Sequence, residues 1–130
     1  MQLRAEAIVP IPQEFSRSWD LRGSRALRIA EWLSPQTRLP VLPILLAPPK
    51  SPTRKRQAQL SMRDRLANPI RFEVNEELFR TRSVPSSLIL VDDFFTTGHT
   101  VRQAARTLKA RGVQSIHIFC LGLRPAVNRH

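Results

Sequence analysis

The strongest constraint in this chain is an aliphatic run with no polar residue alternating through it: Leu88-Ile89-Leu90-Val91, entered from Ser87. A strand with one face in water alternates apolar and polar side chains, so an unbroken run predicts a strand covered on both faces. Residues 92–100 are then polar and contain Gly98, after which Val101, Ala104, Ala105 and Leu108 fall at helical spacing up to Gly112, a favoured helix stop. Residues 113–121 are apolar again and read as another strand. Strand, loop, helix and strand in about 35 residues make a βαβ unit, whose strands are parallel and whose crossover is right-handed.

An earlier unit extends the pattern. Residues 7–12 (AIVPIP) are a short apolar run stopped by prolines, consistent with a buried strand entering a loop. In residues 20–33, Leu21, Ala26, Leu27, Ile29, Ala30 and Leu33 recur mostly every three or four positions, which predicts an amphipathic helix ended by Ser34-Pro35. Residues 39–47 are apolar but hold Pro40 and Pro43, so they read as an edge or broken strand. The expected fold is therefore α/β, a three-layer α/β/α arrangement around a mostly parallel twisted sheet.

Between the two units the composition shifts. Residues 48–68 carry Pro48, Pro49 and Pro52, then Arg54-Lys55-Arg56, Arg63 and Arg65. They predict a flexible basic loop leading into a short helix that stops at Asn68-Pro69; a plain solvated loop is the alternative. Residues 70–74 read as a strand and residues 75–85 as a surface connection.

With 130 residues the expectation is a single domain spanning 1–130. A formal net charge of +11 favours anionic partners, or is simply a solvated surface. No apolar run spans a bilayer and no secretion signal is evident, so no membrane insertion and a cytoplasmic location are expected. Cys120 has no disulfide partner in the chain and is expected to be an inert buried thiol. His117 reads as a core or edge histidine, and Trp19 and Trp32 as packing residues flanking the first helix.

The chemistry concentrates in Val91-Asp92-Asp93-Phe94-Phe95-Thr96-Thr97-Gly98-His99-Thr100. Ligands of an open parallel sheet sit beyond the carboxyl ends of its strands, where this loop lies. Gly98 allows amides to converge into an anion nest, and the helix starting near His99 adds its amino-terminal dipole. Thr96, Thr97 and Thr100 add hydroxyl donors, and the set suits a phosphate monoester. Asp92 and Asp93 repel phosphate but accept from vicinal hydroxyls, which points to a ribose attached to that phosphate. A strand end followed by a helix cap is the plainer alternative. His99 either touches substrate or is a partly exposed structural imidazole.

Four aliphatics, two acids, two residues and Thr-Thr-Gly-x-Thr resemble the phosphoribosyl pyrophosphate (PRPP) loop of type I phosphoribosyltransferases. Within that superfamily the chain resembles the ComF family, through Ile8–Pro12 (IVPIP), Arg22-Gly23, and Gln57, Leu60-Ser61, Arg65, Asn68 and Phe72. The resemblance implies that Thr96, Thr97, Gly98, His99 and Thr100 hold the 5′-phosphate, that Asp92 and Asp93, the catalytic acids, hold the ribose hydroxyls, and that Phe94 and Phe95 belong to the same PRPP-binding loop. It puts the pyrophosphate beside the loop after Pro12, with Arg17 or Arg22 as cations, and gives Mg²⁺ mainly to the substrate's oxygens. The basic loop, through Arg54, Lys55 and Arg56, would close over the site, and little sequence remains for a hood.

Family members usually begin with a cysteine-rich zinc-binding segment, of which this chain has none. Gly23-Ser24-Arg25-Ala26 stands where Gly-Phe-Asn-Gln is expected, and Phe94-Phe95 and His99 replace smaller residues. Two functions follow as expectations. One is PRPP- and Mg²⁺-dependent handling of the phosphoribosyl group, with a ComF-like link to competence and DNA uptake. The other is a module binding single-stranded DNA without transferase activity. A homodimer is compatible with either.

Overall fold

A computed structural model describes residues 4–12, 25–46, 72–95 and 98–123. Its central sheet has β1 (Ala7–Pro10), β4 (Ser87–Val91) and β6 (Ser115–Phe119) in the order β1-β4-β6, all parallel. The helices are α1 (Arg25–Thr37), α2 (Glu76–Thr81) and α3 (His99–Ala110). Two small pairs complete the described residues. Antiparallel β2 (Leu45–Leu46) pairs with β3 (Glu73–Val74), and parallel β5 (Phe94–Phe95) with β7 (Gly122–Leu123).

The aliphatic run of β4 is buried on both faces, as its lack of alternation predicts. Leu88 and Leu90 join Ala7 and Val9 of β1 and Val101, Ala104 and Leu108 of α3 in one apolar cluster. Ile89 and Val91 face the other way, joining Ile8 and Ala26, Ile29, Ala30 and Leu33 of α1. One helix therefore lies on each face, the expected α/β/α layering. Leu88, Leu90 and Leu108 have no accessible surface, and each contributes roughly 2 kcal/mol of burial free energy.

Beyond β1 the chain makes a further parallel contact. The Ile8 amide donates to the Pro40 carbonyl (2.8 Å), the Leu42 amide donates to the Ile8 carbonyl (2.8 Å), and Ile8 and Val41 form an isolated bridge. Proline removes ladder donors on either side, so residues 39–46 are the expected broken strand: one bridge at Val41, then β2.

Other expectations need correction. α1 does not end at Ser34-Pro35 but runs through Pro35 to Thr37. In a last turn the proline removes a single amide bond. Gln36 Nε2 donates to the Trp32 carbonyl and Thr37 Oγ1 to the Leu33 carbonyl, both at 3.0 Å. The helix stops where Arg38 enters the left-handed region at φ 60°.

Residues 75–85 are more than a connection, since they contain α2, with Glu76 and Glu77 in its first turn and Arg80 in its last. Acids first and a cation last suit the helix dipole, yet six residues with no fully buried position leave too little periodicity to read. Trp32 is 58% exposed instead of packed, and Cys120 is half-buried, not enclosed. The expected helical start at residues 20–24, the loop and helix of residues 48–69, and Trp19 lie outside the described residues. Among those described, no helix is long and apolar enough to cross a membrane.

Candidate functional site

The topology creates a crevice before any side chain is considered. From β1 the chain passes through α1 to the Val41 bridge on one side, whereas β4 passes through α3 to β6 on the other. Consecutive connections diverge between β1 and β4, the kind of switch point beyond whose carboxyl ends ligands bind. The Ile11 amide donates to the Val91 carbonyl (2.9 Å), which holds the exit of β1 against the end of β4. Asp92 and Asp93 follow directly.

The acid pair is held by its backbone. The Asp92 amide donates to the Phe119 carbonyl (3.0 Å) and the Leu121 amide to the Asp93 carbonyl (2.9 Å), so β6 and the turn after it brace the loop. Pairing of Phe94-Phe95 with Gly122-Leu123 continues that brace. Asp92 Oδ1 accepts the Asp93 amide (2.9 Å), and Asp93 Oδ1 accepts the Phe94 amide (2.7 Å). Each carboxylate thus keeps one oxygen on a backbone amide.

The environments of the two acids differ. Burial, with the neighbouring Asp93 charge adding to it, pushes the Asp92 carboxyl up to about 6 despite the amide donated by Asp93. Asp93 instead faces a cation: Arg25 Nη1 lies 3.8 Å from Asp93 Oδ2, with the arginine side chain 72% exposed. An ion pair this exposed contributes about 0–1 kcal/mol, so Arg25 is free to turn to another anion at little cost.

Gly98 lies at φ 79°, ψ 3°, ahead of the first turn of α3, and is buried. This left-handed conformation costs other residues roughly 1–2 kcal/mol, which is why glycine stands there. His99 and Thr100 open α3 and are half-buried, placing the positive end of the helix dipole on the same edge as the acids.

Among the candidates named from sequence, Asp92, Asp93, Phe94, Gly98, His99 and Thr100 are on this edge, and Phe95 continues the loop backbone in β5. Thr96, Thr97, Arg17, Arg22, Arg54, Lys55 and Arg56 lie outside the described residues. Sequence reasoning passed over Arg25 as a cation. Its signal was positional, because the first residue of a helix that follows a parallel strand's exit loop sits on the carboxyl edge.

A family model described as a phosphoribosyl transferase domain matches residues 66–129. Competence protein F of Haemophilus influenzae is 31% identical over 119 residues, which cover 89% of this chain and 49% of that protein. The chain thus spans about half the length of this curated relative. No solved structure matches it.

Proposed function

Because the chain carries a ComF-like domain of the phosphoribosyl transferase type, we propose that its carboxyl edge binds PRPP and transfers the 5-phosphoribosyl group to a nitrogen nucleophile. The observation supporting this most is the placement of Asp92 and Asp93 at the end of the central strand, beside the switch point and ahead of left-handed Gly98. On this reading the second oxygens of Asp92 and Asp93 accept the ribose hydroxyls, Arg25 turning from Asp93 to the pyrophosphate. Thr96, Thr97, Gly98, His99 and Thr100 receive the 5′-phosphate through amides and hydroxyls, and Phe94-Phe95 carries the backbone between the two groups. Arg25 joins Arg17 and Arg22 as a cation for the pyrophosphate.

The donor set suits a metal carried by the substrate. Each acid already has one oxygen on a backbone amide, which leaves most of a cation's oxygen ligands to the substrate and water. Mg²⁺, when bound, neutralises charge on the pyrophosphate oxygens. In the transfer the bond from the anomeric carbon to pyrophosphate breaks, a carbon–nitrogen bond forms, and the nucleophile loses its proton. Positive charge developing on the sugar is stabilised by acids already fixed in place, so they need no reorganisation during the reaction.

The test is calorimetry with PRPP and Mg²⁺ on the wild type and on Asp92→Ala/Asp93→Ala. Binding lost in the double variant supports the reading, and unchanged heat removes the ribose site. A pH series adds an independent check. Ribose hydroxyls donate to the ionised form of Asp92, so affinity weakens as pH falls through about 6, by up to tenfold per unit below it.

A second reading, single-stranded nucleic acid in a competence-related role, is favoured by the outer face of α1. Arg28 and exposed Trp32 are four residues apart on that face, with Arg25 one turn before them. A cation beside an open indole is a stacking platform that tracks a phosphate backbone. Oligonucleotide affinity that falls steeply with salt and drops in Trp32→Ala supports it; no binding at low salt dismisses it.

A further inference from the structure

The outer edge of β6 belongs to none of the above. Among the described strands β6 has one neighbour, β4. The Phe119 carbonyl accepts the Asp92 amide, so alternation along a parallel ladder turns the N–H and C=O of Ile116 and Ile118 to the free side. Edge strands are usually guarded by lysine, proline or a bulge. Ser115-Ile116-His117-Ile118-Phe119 has neither lysine nor proline and pairs with β4 in continuous register. Ile118 is 50% exposed and Leu121, just past the strand, is 62% exposed.

Charge says what kind of chain would cover this edge. From Phe94 to the end the sequence has no Asp or Glu, against Arg102, Arg106, Lys109, Arg111, Arg124 and Arg129. Arg111 is engaged by Glu76, but Arg102, Arg106 and Lys109 have no ion-pair partner among the described residues. All three are exposed, opposite the buried stripe of Val101, Ala104 and Leu108. At about 100° per residue, Arg102 and Lys109 fall on the flank of α3 that a right-handed crossover turns toward β6.

We propose that the outer edge of β6 is a docking surface for an extended acidic protein segment that carries an apolar residue on the face it turns toward α3. The segment adds a strand to the sheet through the backbone groups of Ile116 and Ile118. Ile118 pairs with Leu90 and so shares the face that α3 covers; on that face an apolar side chain of the segment covers Ile118, and acids two residues to either side of it meet Arg102 and Lys109. A second copy of this chain fits poorly, because a symmetric β6 pairing brings two uncompensated cationic helices together. Nucleic acid fits poorly as well, since it has no use for the free amide and carbonyl ladder.

The test is fluorescence anisotropy with a short fluorescein-labelled peptide of Asp and Glu that carries Val or Ile at every fourth position, so that one strand face presents both kinds of side chain, titrated with the whole chain. Binding is expected to weaken at least about tenfold in Ile118→Lys, and similarly in Arg102→Glu/Lys109→Glu, because both the edge and its charge carry recognition. The same peptide with alternate backbone nitrogens methylated is expected not to bind. Circular dichroism melts of the exposed-site variants are expected to match the wild type, so loss of binding is not loss of fold. Equal binding by Ile118→Lys, or by the methylated peptide, overturns the proposal. So does an oligothymidylate that outcompetes the peptide and binds Ile118→Lys as it binds the wild type, or a concentration-dependent dimer in sedimentation that Ile118→Lys dissolves.

Discussion

Replacing Asp92 by Asn is expected to make the protein more stable and less able to bind. Burial raises the Asp92 carboxyl to about 6 in the folded chain, against an ordinary value of about 3.9 in an unfolded one. Between those values the folded state holds more protons than the unfolded state. The stability contributed by this group is therefore fully present below pH 4 and lost as pH rises through 6. Two pK units amount to about 3 kcal/mol, which solvent screening of a half-buried carboxylate reduces to about 2 kcal/mol. Asn keeps an oxygen to accept the Asp93 amide and carries no charge to desolvate. At pH 8 the variant should thus melt about 5–10 °C above the wild type, for a chain of this size. Near pH 4 the two curves should converge. Differential scanning calorimetry across that range reads both numbers, and PRPP titration on the same samples should find affinity reduced at least about tenfold through the lost ribose acceptor. A melting difference that is the same at both pH values, or of opposite sign, would show that burial does not hold this carboxyl up.

Gly98→Ala should cost about 1–2 kcal/mol in urea unfolding, because alanine resists the left-handed backbone; no loss would mean that the helix start rearranges freely. Leu90→Ala, at a site with no accessible surface, should cost about 2–5 kcal/mol, whereas Ile118→Ala at a half-exposed site should cost well under that. Glu76 is held below the usual carboxylate range by its two-pronged pair with Arg111, whose guanidinium also lies 4.8 Å from the centre of the Phe79 ring. Glu76→Gln should lower the melting temperature slightly in low salt and hardly at all in high salt.

Much of this molecule is legible without coordinates, and the reasons are local. The unbroken Leu88–Val91 run, the apolar spacing of Val101, Ala104 and Leu108, and Gly112 identify β4, α3 and its stop, because periodicity and backbone freedom are properties of neighbouring residues. The acids and Gly98 declare themselves likewise, since a loop between a buried strand and its helix has one place to be. What stayed hidden depends on residues distant in the chain. The switch point exists because Val41 bridges Ile8 while Leu88 pairs with Ala7, and no local pattern reports which strands adjoin. The same pairing ties the Asp92 amide to the Phe119 carbonyl and brings Arg25 to Asp93, and burial there raises the Asp92 carboxyl. It also leaves β6 at the edge of the described sheet, where Ile118, unremarkable in the sequence, becomes exposed surface. Secondary structure follows from short-range sterics and solvent preference; electrostatics and exposure follow from what the sheet order sets side by side.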